Sequence, residues 1–285
     1  MSNLSLPSAV ELISVHVPKT AGSTFGYVVL PQIYSPHTIL YDYDYLPINT
    51  LIQQGKLSTK TKVIHGHFPG KKYREHYPNT KMVIWLRNPV ISLISAYYFW
   101  MTLNPDYILN KDYRYVVDNK LDFPDFIKLP FTHNIISSYF AKGMKLTDFY
   151  FVGIQEFFMD DLNDIKNNLG WHPFKVQTSN RNSYYNYKEQ VMDALNNQSL
   201  VKSIVAFNSG DMELYQEALS LRSQRKGASS YIEMYELSLT QSQSRLRYNS
   251  SKETKLNKCS SLGSEQGGKS SISNEVLFHS TDLRH

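Results

Sequence analysis

A short stretch near the amino terminus, HVPKTAGST (residues 16–24), contains the residue types that bind phosphate groups. It follows an apolar run and precedes a helix-like segment, and the backbone amides at such a junction form an anion site together with the helix dipole. Gly22 allows an anion to approach the backbone closely, and Lys19 adds a mobile positive charge. The loop of nucleoside-triphosphate enzymes has its lysine after the last glycine, whereas here the lysine comes first. The stretch therefore predicts phosphate binding by a loop of a different order.

The predicted phosphate contacts are the consecutive residues Lys19, Thr20, Ala21, Gly22, Ser23 and Thr24. The hydroxyls of Ser23 and Thr24, at the start of the predicted helix, are expected to satisfy free backbone amides there. The alternative is an ordinary strand–helix turn with a surface lysine. The whole string, placed directly after a strand, favours phosphate binding.

A second candidate anion site lies in LRNPVISLISAYYF, residues 86–99. Arg87 ends an apolar segment, and Asn88 and Pro89 then start a helix as its cap and first helical residue. Ser95 follows Arg87 by eight residues, about two helical turns into that helix. A guanidinium and a hydroxyl beside the first loop could bind a second phosphate. On these residues alone, a helix-capping turn with an incidental arginine is an equally good interpretation.

Both stretches lie where a strand-like segment passes into a helix-like one. Strands are predicted over residues 11–17, 61–67, 80–87 and 148–154. Helices are predicted over residues 23–34, 88–101, 155–171 and 199–221, the last with a break at Ser209 and Gly210. Strands separated by helices indicate an α/β fold with a parallel sheet and helices on both faces. Ligands bind such sheets at the carboxyl ends of the strands, which is where both stretches are predicted to lie.

Composition limits the classes of protein to which this chain can belong. Its 285 residues, 41% of them hydrophobic, are enough for one sizeable core plus a tail. The single cysteine, Cys259, excludes an intramolecular disulfide framework and a multi-cysteine metal site. A net charge of +5 spread along the chain argues against nucleic-acid binding, which needs a clustered basic face. Without a recognisable signal peptide or a bilayer-spanning run, the chain is predicted to be cytoplasmic.

The chain divides unevenly into residues 1–226 and residues 227–285. The first part alternates apolar segments with turn residues, as a folded domain does. In the second part serine becomes the commonest residue, and long apolar runs vanish. Such a segment buries too little surface to offset the entropy of ordering. Residues 227–285 are therefore predicted to be a mostly disordered tail, with a short local helix as an alternative over residues 229–239.

Together the two anion stretches resemble motifs of the sulfotransferase superfamily that uses 3′-phosphoadenosine-5′-phosphosulfate (PAPS). Three further segments, VIHGHFP, FYFVGIQEFFMDDL and DMELYQEAL, are similar to those of the heparan sulfate 2-O-sulfotransferase type and its soluble bacterial relatives. The resemblance covers about residues 12–221. It implies a P-loop NTPase-like sheet, PAPS as the sulfuryl donor, adenosine 3′,5′-bisphosphate (PAP) as the product, and no metal. It also implies an acceptor hydroxyl, with a carbohydrate favoured.

The resemblance also assigns roles to particular residues. PKTAGST corresponds to the family's loop for the 5′-phosphosulfate, and Arg87 with Ser95 corresponds to its 3′-phosphate motif. Arg181, in SNRNSYY, falls where the family has a basic loop over the donor and is expected to contact PAPS. The family often has an aspartate after the motif arginine, whereas this chain has Asn88. That departure leaves the two binding residues in place.

The acceptor hydroxyl needs a general base, and histidine is the usual choice near neutral pH. HGH places His65 and His67 on one side of a strand end, and Gly66 between them is expected to leave room for a substrate. Two nearby imidazoles would also oppose each other's protonation. His67 is the first choice and His65 the second, while His16 is interpreted as structural. The catalytic set is completed by Lys19, which is expected to stabilise charge on the leaving phosphate.

Two other functional classes remain open on the sequence. One is a P-loop kinase that uses ATP and Mg²⁺, although no aspartate convincingly ends an apolar strand after the loop, where a metal-binding acid would stand. The other is a non-catalytic nucleotide- or carbohydrate-binding relative. Glu156 is expected to cap its own helix, with an ion pair to a site arginine as the alternative. The sequence identifies neither the acceptor nor the oligomeric state.

Overall fold

A computed structural model describes residues 9–107, 110–176, 182–227 and 238 of the chain. Within these residues, five strands form one parallel sheet in the order β2-β3-β1-β4-β5. The strands are β1 (Leu12–Val15), β2 (Ile39–Asp42), β3 (Val63–Gly66), β4 (Lys81–Leu86) and β5 (Phe151–Ile154). Helices flank the sheet, so the predicted α/β class is confirmed.

The described residues form eleven α-helices, several of them a single turn long. They are α1 (Gly22–Thr24), α2 (Leu30–Ile33), α3 (Ile48–Gln53), α4 (Gly70–Arg74), α5 (Pro89–Trp100), α6 (Lys111–Asp118), α7 (Phe123–Phe126), α8 (Phe158–Leu169), α9 (Tyr187–Asn196), α10 (Gln198–Phe207) and α11 (Ser209–Lys226). A π-helical turn, Phe25–Val29, joins α1 to α2. Residues 22–33 therefore run as one helical unit, here called the first helical segment.

Apolar side chains cover both faces of the sheet, because neighbouring residues of a strand point to opposite faces. On one face, Leu12 of β1 packs with Phe25 of the first helical segment and with residues of α8 such as Leu162. On the other face, Ile13 packs with residues of α3, α4 and α11. A third apolar cluster joins α5, α6, α7, α9 and α10 beside the sheet; this one includes Trp100. The sheet is thus buried on both faces, as parallel sheets are.

The order of the strands creates a crevice at their carboxyl ends. From β1 the chain runs to β2, on the β3 side of the sheet, whereas from β4 it runs to β5, on the opposite side. Two adjacent strands whose connections diverge in this way form a topological switch point, and ligands of open α/β sheets bind there. The crevice between β1 and β4 is therefore the expected ligand site.

Most predicted elements are present, with shorter bounds. The four predicted strands are β1, β3, β4 and β5, and β2 was not predicted. Asn88 caps α5 as expected, because its side-chain oxygen accepts a hydrogen bond from the Val90 amide at 3.0 Å. Helix α8 ends at Gly170, which has a left-handed backbone, and the break in the last predicted helix falls at Asn208, between α10 and α11.

None of the helices described in the structure is both long and apolar enough to cross a membrane. The predicted tail, residues 227–285, lies outside the described residues except for Gly227 and Ser238. Of these, Ser238 is buried, and the alternative of a short local helix over residues 229–239 stays a prediction.

Candidate functional site

The loop after β1 carries two strained residues. Lys19 and Ala21 both have positive φ angles, 64° and 70°, in the left-handed region that non-glycine residues seldom adopt. The hydroxyl of Thr20 donates to the carbonyl of Val17 at 2.7 Å and closes the loop internally. Strained backbone of this kind, about 1–3 kcal/mol per residue, clusters at binding sites.

The first helical segment starts without a side-chain cap. Its N-cap residue is Ala21, whose methyl group has no hydrogen-bond acceptor, so neither Ser23 nor Thr24 is the N-cap residue. Both hydroxyl residues lie one or two positions inside the helix and are buried. The amides of the first turn therefore face the crevice end of the helix, where the helix dipole favours an anion.

The structure gives a packing reason for glycine at position 22, in addition to the predicted close approach of an anion. A Cβ atom at this position would lie 1.9 Å from Cδ2 of His16, so only glycine lets the helix pack against that imidazole. Gly66, between the two histidines of HGH, is similar: its Cβ would lie 1.9 Å from the carbonyl oxygen of Asp42. The expectation that Gly66 leaves room for a substrate is wrong, because the space is filled by the backbone of β2.

Arg87 connects the two predicted anion stretches. It follows β4 directly, and its Nη1 donates to the carbonyl oxygen of Lys19 at 3.1 Å, across the crevice from β1. Its Nε is buried and has no hydrogen-bond partner within the described parts of the chain. Since a guanidinium has five donors in a fixed fork, part of this one stays available for an anion in the crevice.

The helix α5 carries Ser95 and also contacts the side chain of Lys19. Ser95 is buried on that helix, and its carbonyl oxygen accepts a hydrogen bond from the side chain of Asn182 at 3.2 Å. The Nζ of Lys19 lies 3.7 Å from the ring centroid of Phe99, a cation–π contact. Arg181 precedes Asn182 but lies outside the described residues, so its predicted contact with PAPS stays a prediction.

Polar and aromatic side chains of three strands line up in two rows on the sheet face that carries the first helical segment. The inner row is Ser14, His65 and Tyr41, which are paired in register across β1, β3 and β2. The outer row lies two residues further along each strand, just past the strand ends, and consists of His16, His67 and Tyr43. We call these the inner and outer histidine rows. Their spacing follows from the two-residue period of a strand.

The inner row is enclosed. His65 is 0% exposed, and its Nδ1 lies 2.9 Å from the hydroxyl oxygen of Ser14. A Cβ at Gly26 would lie 2.1 Å from Nε2 of His65, so the first helical segment rests directly on that nitrogen. Tyr41 holds the same helical segment by donating to the carbonyl of Gly26 at 3.0 Å. His65 therefore has a packing role and no path to an acceptor hydroxyl.

The outer row lies just past the carboxyl ends of the strands and is also buried, including both ring nitrogens of His67. His16 is 5% exposed and His67 is 8% exposed, and their ring centroids are 4.5 Å apart. The Nδ1 of His16 lies 2.8 Å from the hydroxyl oxygen of Tyr43, whose ring is 4.8 Å from that of His67. The outer row thus contains two imidazoles at the carboxyl ends of β1 and β3, and one of them, His16, was interpreted from sequence as structural only.

The three imidazoles are held in their neutral forms. Burial lowers the pKa of His67 to about 3. Burial and the neighbouring His67 lower the pKa of His65 to about 3. The pKa of His16 falls well below its ordinary value because of burial and the charges of His67, His65 and Lys19. A neutral imidazole has a lone pair that accepts a proton, so each is in the form that a base requires.

Two acidic residues at the carboxyl end of the sheet differ from expectation. Glu156 accepts a hydrogen bond from the backbone amide of Asn88 at 3.1 Å, and the described starts of its own turn and of α8 carry no side-chain cap. The predicted capping role of Glu156 is therefore wrong. Asp42 ends β2, where no such acid was expected, and binds Lys72 at 2.6 Å and the hydroxyl of Tyr73 at 2.8 Å.

Asp42 and Tyr43 were not predicted as residues of the site because the strand β2 was not predicted. The string ILYDYDY (residues 39–45) alternates aromatic and acidic residues, which is a strand period that places Tyr41 and Tyr43 on one face and Asp42 on the other. That alternation was the signal for both the outer row and the Asp42–Lys72 ion pair. Its high polarity is equally typical of a surface loop.

Comparison with known proteins adds no relative: neither a protein-family model nor a curated protein matches this sequence. Within the described ranges, no group of three or more histidine, cysteine, aspartate or glutamate side chains is arranged to hold a metal ion.

Proposed function

We propose that the protein is a sulfotransferase that moves a sulfuryl group from PAPS to an acceptor hydroxyl. The observation that carries this proposal is the meeting of the two anion stretches at the switch point, where Arg87 binds the carbonyl of Lys19. A half-buried guanidinium with a buried, unused Nε–H beside a helix start is suited to a phosphate. The resemblance of both stretches to PAPS motifs supplies the identity of the ligand.

The residues at the crevice fit the charges of PAPS. The amides of residues 20–24 and the ammonium of Lys19 suit a 5′-phosphosulfate, while Arg87 and Ser95 suit a 3′-phosphate. The buried Nε of Arg87, which has no acceptor within the described residues, is the observation that favours an anion on that side. When bound, PAPS supplies the sulfuryl group and a phosphate as the leaving group.

The chain's own residues would carry out the proton and charge chemistry. Lys19 and the loop amides stabilise negative charge on the leaving phosphate. The loop holds these groups in position before the reaction begins, so they need no rearrangement. His67, just past the end of β3, accepts the proton of the acceptor hydroxyl on an imidazole nitrogen. His65 packs against Gly26 of the first helical segment and does not contact the acceptor in this mechanism.

The low pKa of His67 at about 3 makes it a weak base in the structure as it stands. Negative charge brought into the crevice favours the protonated imidazole, and so raises its pKa towards neutral pH. His67 is therefore a stronger base when PAPS is bound. Proton abstraction would then be limited to enzyme molecules that already hold PAPS.

The test is a thermal-shift measurement with PAP in the presence of a metal chelator. We expect PAP to raise the melting temperature, because a ligand at 100 times its Kd stabilises the folded state by about 2.7 kcal/mol. Arg87→Ala should remove most of the shift. Arg114→Ala, which removes an arginine from an exposed pair on α6, should keep it.

Two other results would assign other functions. Stabilisation by ATP with Mg²⁺, and none by PAP, would favour a P-loop kinase and overturn the proposal. Asp42 does not support that reading by itself, since its carboxylate already binds Lys72 and Tyr73. PAP binding without transfer of labelled sulfate from PAPS to any component of a cell extract would favour a non-catalytic relative.

A further inference from the structure

A cavity of about 70 Å³ lies between the loop after β1 and the helix α5, and we call it the α5 pocket. Its lining on the loop consists of Val17 and Pro18, and its lining on α5 consists of Pro89, Leu93, Ala96 and Trp100. We propose that the α5 pocket binds the apolar part of the acceptor, and that the acceptor is an aliphatic alcohol. The inference rests on the proposed sulfotransferase function, and its substrate class differs from the carbohydrate that the family resemblance implies.

The α5 pocket adjoins the residues proposed for the reaction. Its two loop residues occupy the positions between His16 and Lys19. The ring of His16 lies 4.5 Å from that of His67, the proposed base. On the side of α5, Pro89 follows Arg87 by two residues. The pocket therefore borders the crevice between β1 and β4 at the segments that follow both strands.

The lining of the α5 pocket is mainly apolar. Aromatic rings of Phe126 and Phe131 add to the carbon surface of α5, and the rings of Trp100 and Phe131 stack with their centroids 6.1 Å apart. Cavities larger than a water molecule are few in a protein domain. One with apolar walls beside a proposed reaction site is suited to an apolar group of a ligand.

Three of the polar side chains in the lining are already bonded within the protein. The carboxylate of Asp211 accepts hydrogen bonds from the backbone amide and the hydroxyl of Ser137, both at 2.7 Å. The hydroxyl of Thr132 donates to the carbonyl of Leu129 at 2.8 Å, and the side chain of Asn208 donates to a carbonyl of α10 at 3.0 Å. A group rich in hydroxyls would lose its hydration on entering and find these partners engaged. An alkyl group has no such cost, so the pocket favours it.

The transfer step needs no reactant beyond the alcohol and PAPS. The pocket holds the alkyl group and leaves the hydroxyl at the crevice. The hydroxyl oxygen forms a bond to sulfur while the bond between sulfur and the 5′-phosphate oxygen breaks. The hydroxyl proton goes to a ring nitrogen of His67, and the electron pair of the broken bond stays on the phosphate of PAP beside Lys19.

The experiment compares isobutanol with glycerol, two alcohols of similar size of which one carries an alkyl group and the other further hydroxyls. Transfer of labelled sulfate from PAPS by the full chain is measured for each alcohol at millimolar concentrations. We expect kcat/KM to favour isobutanol by about tenfold or more, because a single methylene in a hydrophobic pocket already changes it by about tenfold.

Two substitutions in the lining test the pocket itself. Ala96→Leu fills it with a larger side chain and should lower kcat/KM for isobutanol about tenfold, with PAP affinity unchanged. Phe131→Ala enlarges it and should raise kcat/KM for the bulkier benzyl alcohol about tenfold relative to isobutanol. Ala206→Leu, at an exposed position of α10 outside the lining, is the matched control for Ala96→Leu.

The outcomes separate this inference from the proposed function. Equal kcat/KM for isobutanol and glycerol, no transfer to isobutanol by protein that binds PAP, or an unchanged preference in the lining variants would overturn the acceptor assignment. PAP binding in the same preparations would leave the sulfotransferase proposal intact. Failure of PAP to bind would overturn the sulfotransferase proposal and the acceptor class with it. Because one variant fills the pocket and the other enlarges it, either alone decides the assignment if the other does not fold.

Discussion

At the residue scale, the surroundings of each imidazole determine what it can do. His65 lies under the first helical segment with a hydroxyl partner, Ser14, whereas His67 and His16 lie at the sheet edge. The same strand and the same residue type thus give one histidine with a packing role and one that we propose as the base. A two-residue step along β3 separates these roles.

Replacement of His67 should affect turnover, and replacement of His65 should affect stability. We expect His67→Ala to lower the transfer rate by about 10²–10⁴-fold with PAP affinity almost unchanged, because the base contacts only the acceptor. His65→Ala should lower the free energy of unfolding by about 1–3 kcal/mol, since Ser14 loses a buried partner. Transfer rates, PAP affinities and urea unfolding of both variants are the measurements.

The reverse pattern would assign the roles differently. Near-normal turnover in His67→Ala with collapse in folded His65→Ala would move the base to His65. Near-normal turnover in both variants would remove histidine catalysis from the mechanism, and the donor site would be unaffected.

The buried imidazoles also predict a loss of stability in mild acid. The pKa values of His65 and His67 are about 3 in the folded chain and about 6.5 when unfolded, so the unfolded state binds more protons between these values. Stability should therefore fall as pH drops from about 6.5 towards 3, by up to about 1.4 kcal/mol per pH unit for each histidine.

Urea unfolding between about pH 7.5 and pH 5, without donor, measures this slope. His67→Gln should make the slope shallower, and His37→Gln, at an exposed position, should not change it. An equally steep slope in His67→Gln would show that this imidazole is not held neutral.

At the element scale, the first helical segment fits the sheet through two glycines four residues apart. Gly22 faces the outer histidine row, and Gly26 faces the inner one. The π-helical turn between α1 and α2 contains Gly26, and π-helical turns are frequent at functional sites. The segment therefore lies closer to the sheet than a helix with side chains at these positions could.

Gly26→Ala tests this packing. The new Cβ would lie 2.1 Å from Nε2 of His65, so we expect a loss of about 1–3 kcal/mol in unfolding free energy. The control is the same substitution in His65→Ala, where the obstructing ring is absent. Equal costs in both backgrounds would mean that the segment adjusts without His65, whereas a coupling of about 0.5–3 kcal/mol would support direct contact.

Elements with a strong local signal could be predicted from the sequence, and elements that depend on their neighbours could not. The strand β4 is a continuous apolar run, and α5 has both its Asn88 cap and Pro89, so each was predicted. The strand β2 was missed because its tyrosines and aspartate are buried by partners from β3, α4 and the first helical segment. The meeting of Arg87 with the loop carbonyl likewise depends on the strand order, which local sequence does not encode.

At the scale of the whole molecule, buried charges join α11 to the far edge of the sheet. Asp161 on α8 accepts a hydrogen bond from the Ile154 amide of β5 at 2.8 Å. Its carboxylate also binds Arg222 at 2.8 Å and Arg225 at 3.1 Å, both on α11. One carboxylate thus links two helices and a strand.

Asp161→Asn should destabilise the whole fold. It removes the buried carboxylate that lies 2.8 Å from Arg222, itself 4% exposed, and loss of one partner of a buried ion pair typically costs about 3–5 kcal/mol. The neighbouring Asp160→Asn is the matched control, because Asp160 is largely exposed and lies 3.7 Å from the same arginine. Its expected effect is within about 0.5 kcal/mol. Urea unfolding of both variants is the measurement, and equal stabilities would contradict the role given to Asp161.

The hydrogen bond from Arg87 to the carbonyl of Lys19 makes two halves of one site depend on each other. An anion that holds the guanidinium also steadies the loop, and an anion in the loop steadies the guanidinium. By linkage, each then strengthens the binding of the other by the same factor. A ligand with both phosphates should consequently bind more tightly than the sum of its parts indicates, and adenosine 5′-phosphosulfate, without the 3′-phosphate, should lose affinity at the loop as well as at Arg87.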